Sequence, residues 1–191
     1  MNSIHTSEEI KDGLSEPVVI AVARPVSTVF SWLVWLVPVL LLLVALLPKA
    51  DLPVAGKVTL SLLHLVEAAV ITAVLWLAPR RLKYTLTRDA LMIQCLSGVQ
   101  RIPLRGLKAR LTAGQLGTRT FGMGLPGYLS GHFRLRGDAL GVTGVQAVTS
   151  NPNQGVLLFG HGKAPFFVSP ANAPSFLHAL AERGVQVESN L

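Results

Sequence analysis

The stretch Phe121-Gly-Met-Gly-Leu-Pro-Gly-Tyr128 discriminates between two folds. Its glycines, Gly122, Gly124 and Gly127, spell G-x-G-x-x-G, the pattern of a dinucleotide-binding turn. That pattern carries meaning only after a buried strand, at the opening of a helix, with a carboxylate about 20 residues further on. The context fails each condition. The preceding GQLGTRT reads as loop, and the following YLSGHFRLR reads as strand, so no helix N-terminus faces a pyrophosphate. No carboxylate stands at the required distance, and the Lys-Ser or Lys-Thr of a P-loop is missing. These glycines and Pro126 are therefore expected to let the backbone bend into or out of an edge strand.

Around this stretch, the C-terminal part alternates with period 2. Leu82-Tyr84-Leu86, Ala90 to Leu96, Leu107 to Leu111, Phe133-x-Leu135, Val142 to Thr149, Val156 to Phe159 and Phe166 to Val168 read as strands. Turn chemistry separates them, as in Ser97-Gly98, Arg105-Gly106, Arg136-Gly137-Asp138, Asn151-Pro152-Asn153 and His161-Gly162. One segment differs. SPANAPSFLHALAERG offers Asn172 as N-cap, Phe176, Leu177 and Leu180 on one stripe, and Gly184 as terminator. About seven short strands followed by one amphipathic helix predict a mostly β, α+β domain, and strands at such short spacing suggest a barrel or sandwich instead of βαβ units.

The N-terminal part has another character. Half the residues of the chain are apolar and 14% are charged. Val26 to Leu47 carries no charge at all, and in Val58 to Ala78 only His64 and Glu67 ionise. As helices, both are long enough to cross about 30 Å of hydrocarbon. Trp32, Trp35 and Trp76 stand near their outer ends, as interfacial anchors do. A cleaved leader is the competing reading of the first segment, but its n-region would run from Met1 to Pro25 and be acidic. The expectation is a transmembrane hairpin: a tail at 1–25, a span at 26–47, an external loop at 48–57 and a span at 58–78. A folded domain at 79–184 and a short tail at 185–191 complete the chain. Arg80, Arg81, Lys83 and Arg88 follow the second span, whereas the loop offers only Lys49 and Lys57 against Asp51. Basic flanks remain cytoplasmic, which places both termini inside and makes the chain an integral inner-membrane protein. The single cysteine, Cys95, is compatible with a reducing compartment.

The runs GMGLPGYLSGHF from Gly122 to Phe133, V-x-A-V-T-S, and FVSPANAPSFL from Phe167 to Leu177 resemble the bacterial pleckstrin-homology (PH) domain families. They are most similar to the branch with P-G-Y-x-x-G-x-F midway and S-P-x-[DN]-x-x-x-F before the last helix, in which two transmembrane helices often precede the domain. The resemblance covers roughly residues 80 to 184 and implies a PH-like fold, a strongly bent antiparallel β-barrel with the C-terminal helix plugging one open end. Pro126, Gly127, Tyr128, Gly131, Phe133, Ser169 and Pro170 match as fold-determining positions only. It implies no catalytic or ligand residues.

Charge is the most informative functional signal. Residues 79–191 hold 13 Lys or Arg against four Asp or Glu, a difference of +9. Tethered beside an anionic leaflet, such a domain is drawn onto it by about 1 kcal/mol per cation near the surface. Lys83, Arg101, Arg105, Lys108, Arg110, Arg119, Arg134 and Arg136 are the pool for such a face. The alternative is that they are solvated strand and loop ends. Nucleic acid is disfavoured, because few exposed aromatics interleave with the cations. His64 and Glu67, three apart on one helix face, form an intramembrane polar pair. It serves either as packing glue and oligomer contact or as part of an ion or proton path. Ser130, Ser169 and Cys95 lack an elbow motif or a local acid, and no Cys/His cluster has metal-ligand spacing. The expected protein is a non-enzymatic binding or scaffolding module at the inner membrane surface, without cofactor or metal. Its expected partners are the bilayer, anionic headgroups, and a protein partner or second copy. The second reading is a subunit of a transport or ion-handling complex using His64 and Glu67.

Overall fold

The computed structural model describes residues 16–23, 32–47, 53–138, 141–160, 162 and 164–188. Most of the expected N-terminal tail, the start of the expected first span, half of the expected external loop and the chain's last three residues lie outside the described residues. Two sheets form the domain. One has the order β1 (Val18–Ile20), β2 (Lys83–Leu86), β3 (Ala90–Cys95) and β4 (Gly98–Pro103), all antiparallel. The other contains β5 (Lys108–Thr112), β6 (Gln115–Leu125), β7 (Tyr128–Arg136), β8 (Gly144–Thr149), β9 (Gly155–Phe159), β10 (Phe166–Val168) and β11 (Gln186–Glu188). Its order is β11-β5-β9-β10-β8-β7-β6.

This corrects the expected barrel. The sheets stay separate instead of closing, and two pairings, β11 with β5 and β10 with β8, are parallel. Beyond the expected strands, the sheets contain β1, β4, β6 and β11. GQLGTRT, expected as loop, lies largely in β6, which is long and almost wholly exposed. Its lack of apolar alternation reflects its place at the sheet's edge, where no face is buried.

Helix α1 (Leu36–Leu46) has 11 residues, and helix α2 (Val54–Arg81) has 28. Only α2, among the described residues, is long and apolar enough to cross a membrane. It begins earlier and ends later than the sequence predicts, absorbing Pro79 near its last turn. The two helices pack side by side, and Ser61 Oγ donates to Ala45 O at 3.0 Å. Helix α3 (Ala173–Ala181) follows its sequence signals closely. The Asn172 side chain accepts from Ser175 N at 3.0 Å, Phe176 and Leu180 are buried, and Gly184 ends the turn at φ 81°.

The main core lies between the two sheets and α3, with Tyr84, Leu86, Leu91, Ile93, Val148, Val156, Leu158, Phe176 and Leu180 at its centre. A second cluster, Phe133, Leu135, Val145, Ala147, Leu157 and Phe167, covers the opposite face of the larger sheet. Alternation along the strands sends Leu157 and Phe167 one way and Val156, Leu158 and Val168 the other.

Both tyrosines of the chain tie sheet to sheet. Tyr84 on β2 donates to Val148 O at 2.6 Å and accepts from Ser169 N at 3.3 Å. Burial pushes its phenol up to about 12, against the opposing pull of Ser169 and Thr149, so the hydroxyl stays protonated. Tyr128 on β7 accepts from Leu96 N at 3.0 Å. Ser169 is itself a buried hub, with its hydroxyl bonded to that of Thr149 and to Ser150 N at 3.3 Å.

Residues 16–23, expected within a tail, are built into this hub. Val18, Val19 and Ile20 pair with Leu86, Thr85 and Tyr84. Beyond them, Ala23 N donates to Ser169 O at 2.9 Å, Ala171 N to Ala21 O at 2.8 Å, and Ser150 Oγ to Ala23 O at 2.5 Å. At the other end, the expected C-terminal tail supplies β11, which pairs with β5.

The glycine-rich stretch is the distal half of the β6–β7 hairpin. Leu125 pairs with Tyr128, and Pro126-Gly127 makes the turn with Gly127 at φ 72°, the proline-then-positive-φ pattern of a type II turn. Gly122 and Gly131 face each other across the ladder at φ 109° and 136°. A Cβ on Gly122 would stand 2.2 Å from Ser130 O, and one on Gly131 2.2 Å from Phe121 O. These backbones touch where only hydrogen fits. β6 is the terminal strand of its sheet, as the edge-strand reading expects.

A buried ion pair pins the far end of the hairpin. Arg110 Nη2 lies 2.6 Å from Asp138 Oδ2, with side chains 2% and 1% exposed. Thr112 Oγ1 donates to Asp138 Oδ1 at 2.8 Å, Val142 N to Oδ2 at 3.2 Å, and the Arg110 guanidinium stacks 5.2 Å from the Phe159 ring centroid. Burial alone raises the Asp138 carboxyl, but bonds from Arg110, Thr112 and Val142 and the Arg110 charge outweigh it and hold it below the usual carboxylate range.

Asp138→Ala leaves Arg110 buried without a counter-charge, and thermal unfolding of the detergent-solubilised chain should register a loss of about 3–5 kcal/mol. The folded-state pKa of Asp138 lies below its unfolded value, so the contribution is complete above the unfolded pKa and is lost as pH falls through the folded one. Between about pH 5 and pH 2 the wild type should lose more stability than Asp138→Asn, and parallel curves would refute this. Gly131→Ala forces a carbonyl clash in strained backbone and should cost about 1–3 kcal/mol in the same assay.

Candidate functional site

A concavity of about 720 Å³ lies between the terminal strands of the two sheets. Leu96 and Ser97 of the β3–β4 turn and Gln100 of β4 form one wall. Phe121, Met123 and Leu125 of β6 form the other, with Tyr128, Ser130 and His132 of β7 and Gln146 of β8 as the floor. The bond from Leu96 N to the Tyr128 hydroxyl closes one end.

Strand register decides what faces the groove. Phe121 pairs with His132, Met123 with Ser130 and Leu125 with Tyr128, so these six share one side of the hairpin. Phe121 is 75% exposed and Met123 38%. Arg119, opposite Phe133 at a bulged position, borders the groove, but its guanidinium lies over Gly124, where an added Cβ would stand 3.0 Å from Nη1, on the hairpin face opposite Phe121 and Met123. The Gln100 amide oxygen is buried with no hydrogen-bond partner. Among the described residues, none that lines this groove carries a carboxylate.

The sequence-derived pool of basic residues does not form one face. Arg110 is buried on Asp138 and leaves the exposed set. Arg101 pairs with Asp89 at 2.5 Å and Lys108 with Glu188 at 3.3 Å, both exposed, where such pairs contribute little. Arg105 is exposed in the β4–β5 turn, and Lys83 is exposed two residues after α2. Arg134 and Arg136 are exposed on β7, beside another concavity of about 650 Å³ with Thr120 and His132. Of the pool, Arg119 alone joins the groove. His64 and Glu67 do come together, with Nδ1 3.4 Å from Oε2, and the Glu67 side chain is 46% exposed on α2.

Sequence reasoning does not single out Phe121, Met123 or Gln100. A signal for two of them exists: Gln115 to Arg136 holds no Asp or Glu, and Phe-x-Met alternates within it. Nothing local marks Gln100, because its surroundings belong to β6, β7 and β8. Asp138 reads locally as turn chemistry, since its partner stands 28 residues away. Cys95 packs as a small apolar residue, with Sγ donating to Gly98 O at 3.1 Å. Among the described residues, no three His, Cys, Asp or Glu gather as a metal site.

Each matched motif position has a physical task. Pro126 and Gly127 make the hairpin turn, Tyr128 ties the sheets, and Gly131 passes Gly122. Phe133 fills the second core, and Ser169 and Pro170 hold the N-terminal strand. No curated protein and no solved structure resembles the chain closely enough to count as a match. The bacterial PH domain family matches residues 82–184, more than half of the chain. With two sheets, a capped C-terminal helix and a groove between sheet edges, this chain belongs to the bacterial PH domain family.

Proposed function

We propose that the chain is a two-span membrane protein whose PH domain works as a non-enzymatic binding or scaffolding module at the inner membrane surface. The observation carrying this reading is the β1–β2 ladder. Ile20 and Tyr84 are partners across it, yet the whole apolar region lies between them. The chain therefore leaves the domain and returns to it, which supports an even number of crossings. A helix of 28 residues is roughly 42 Å long, ample for one crossing. The companion crossing then falls to residues 26–47, with α1 as its described part.

Sidedness rests on the basic run after α2. Arg80 stacks 3.9 Å from the Trp76 ring centroid and donates to Trp76 O at 2.8 Å, an amphipathic anchor suited to the interface. With β1 before the hairpin and β2 after it in the chain, the domain is held against the bilayer on two attachments, both termini cytoplasmic. Family membership supports a binding role, and the groove supplies a place for it.

The His64–Glu67 contact favours a second element. A carboxylate half open to hydrocarbon needs cover, and a neighbouring helix of a second copy provides it as packing glue. Use of the pair in ion handling is the competing reading.

Two measurements test this account. In a Cys95→Ala background, Lys49→Cys should react with an impermeant maleimide on intact bacterial spheroplasts, and Arg105→Cys only after lysis. Labelling of Arg105→Cys on intact spheroplasts would overturn the topology. Glu67→Leu should shift the chain towards monomer in detergent. An unchanged oligomer distribution with altered ion flux in proteoliposomes would favour the ion-handling subunit instead.

A further inference from the structure

The outer edge of β6 is exposed from Thr118 to Gly124, and among the described residues no strand pairs with it. An open edge templates pairing with another chain, and proteins normally blunt it with a charge, a proline or a bulge. In β6 those devices stand only at the ends. Register shifts around Arg119 interrupt the ladder on one side, and Pro126 begins the turn on the other. Between them Phe121-Gly-Met-Gly-Leu125 runs in regular register against β7, without charge, proline or bulge.

Ladder geometry decides what these five residues offer. Leu125 and Tyr128 flank a two-residue turn and so exchange both main-chain bonds. Alternation from there turns the N–H and C=O groups of Met123 and Phe121 towards β7 and those of Gly122 and Gly124 outward. The outward groups thus belong to residues with no side chain to obstruct a neighbouring strand. Exposed Phe121 and Met123 stand beside them on one face.

The pattern is also a palindrome: large apolar, glycine, methionine, glycine, large apolar. Antiparallel pairing with an identical strand about Met123 sets Gly122 against Gly124 twice, which makes four main-chain hydrogen bonds. It sets Phe121 against Leu125 and Met123 against its own copy, all on one face. Charge opposes this only weakly. The two Arg119 guanidinia, each over Gly124, come to about 8 Å of each other, one screening length at physiological salt.

We propose that this edge pairs with the same edge of a second copy, joining two domains into one continuous sheet. A strand paired antiparallel with itself has its dyad perpendicular to the sheet, and two copies in one bilayer have theirs along the membrane normal. The β6–β7 hairpin must then lie flat to the membrane. Val34, in the first apolar segment, agrees with this. It lines a concavity of about 430 Å³ with Gly124, Leu129 and Phe133, which stand on the hairpin face opposite Phe121 and Met123. Five residues a side fall short of the roughly 20–30 of a stable soluble interface. A free peptide therefore gains too little here, whereas a copy confined to the same leaflet needs no more. The inference rests on the two-span reading, which supplies that shared leaflet.

The test is disulfide crosslinking of the full-length chain in inverted membrane vesicles, in a Cys95→Ala background oxidised with copper phenanthroline. Met123→Cys meets its own copy in a non-hydrogen-bonded pair, at a Cα separation of about 4.5 Å that a disulfide can span. Thr118→Cys, about 33 Å from its copy, should crosslink at least about tenfold more slowly. Phe121→Cys and Leu125→Cys, each about 13 Å from its own copy, should crosslink when co-expressed and at least about fivefold less when alone. Arg119→Gln should raise the Met123→Cys rate about twofold at low salt. Equal rates for Met123→Cys and Thr118→Cys, or no gain on co-expression, would overturn the proposal. A Met123→Cys adduct with a different membrane protein would assign the edge to that chain and reject self-pairing. These failures leave the maleimide topology intact, whereas labelling of the domain from outside would reject the underlying reading itself.

Discussion

The constraint on which this molecule depends is main-chain pairing between residues that lie on either side of its apolar region. Ile20 and Tyr84 sit across from each other in a ladder, and Ala21 to Ala23 are stitched to Ser169 and Ala171. Between them the chain makes its helical excursion and comes back. The cost of closing a loop that long grows only slowly with length, and packing of α1 on α2 reduces it further. In return, the domain core gains a strand it lacks without the N-terminal segment. Folding of the domain and threading of the hairpin are therefore one problem. In the two-span reading, the same ladder prevents the domain from swinging freely on a tether.

The second determinant is backbone contact without side chains. Gly122 and Gly131 let β6 and β7 approach to a distance no other residue permits, and Pro126-Gly127 closes the turn. The hairpin then projects β6 as a long exposed edge beside β4. Two sheets that do not close leave a groove, where a closed barrel would leave none. The tyrosine hydroxyls brace that arrangement from both ends, each donating or accepting across the gap between sheets. The Arg110–Asp138 pair fixes the base of the hairpin. Such buried pairs specify geometry more than they stabilise, because desolvation offsets most of the attraction.

Charge behaves differently from its sequence appearance. A run of cations suggests a single face, but backbone geometry sorts them by strand parity and partner. One is buried, two are paired at the surface, and the others stand on β2, β6 and β7 or in a turn. The clearer signal is the absence of acids along the whole β6–β7 hairpin, which carries Arg119, Arg134 and Arg136 uncompensated in sequence. Absence of this kind spans two strands and a turn, so single-residue inspection passes over it.

Elements governed by local rules were legible from the residues alone. These include the long apolar helix, the Asn172 cap and Gly184 stop of α3, most of the buried strands, and the conclusion that Gly122 and Gly127 shape backbone. Each follows from the conformational preference of one residue or from a period of two or 3.6. Other features exist only once the chain has folded. Folding placed Val18–Ile20 beside β2, made an exposed strand of GQLGTRT, split the sheets, and matched Arg110 with Asp138. The physical reason is that edge strands, parallel additions and buried ion pairs draw their energy from partners distant in the chain. Their own residues need not alternate, cap or repeat, so the local text carries no trace of them.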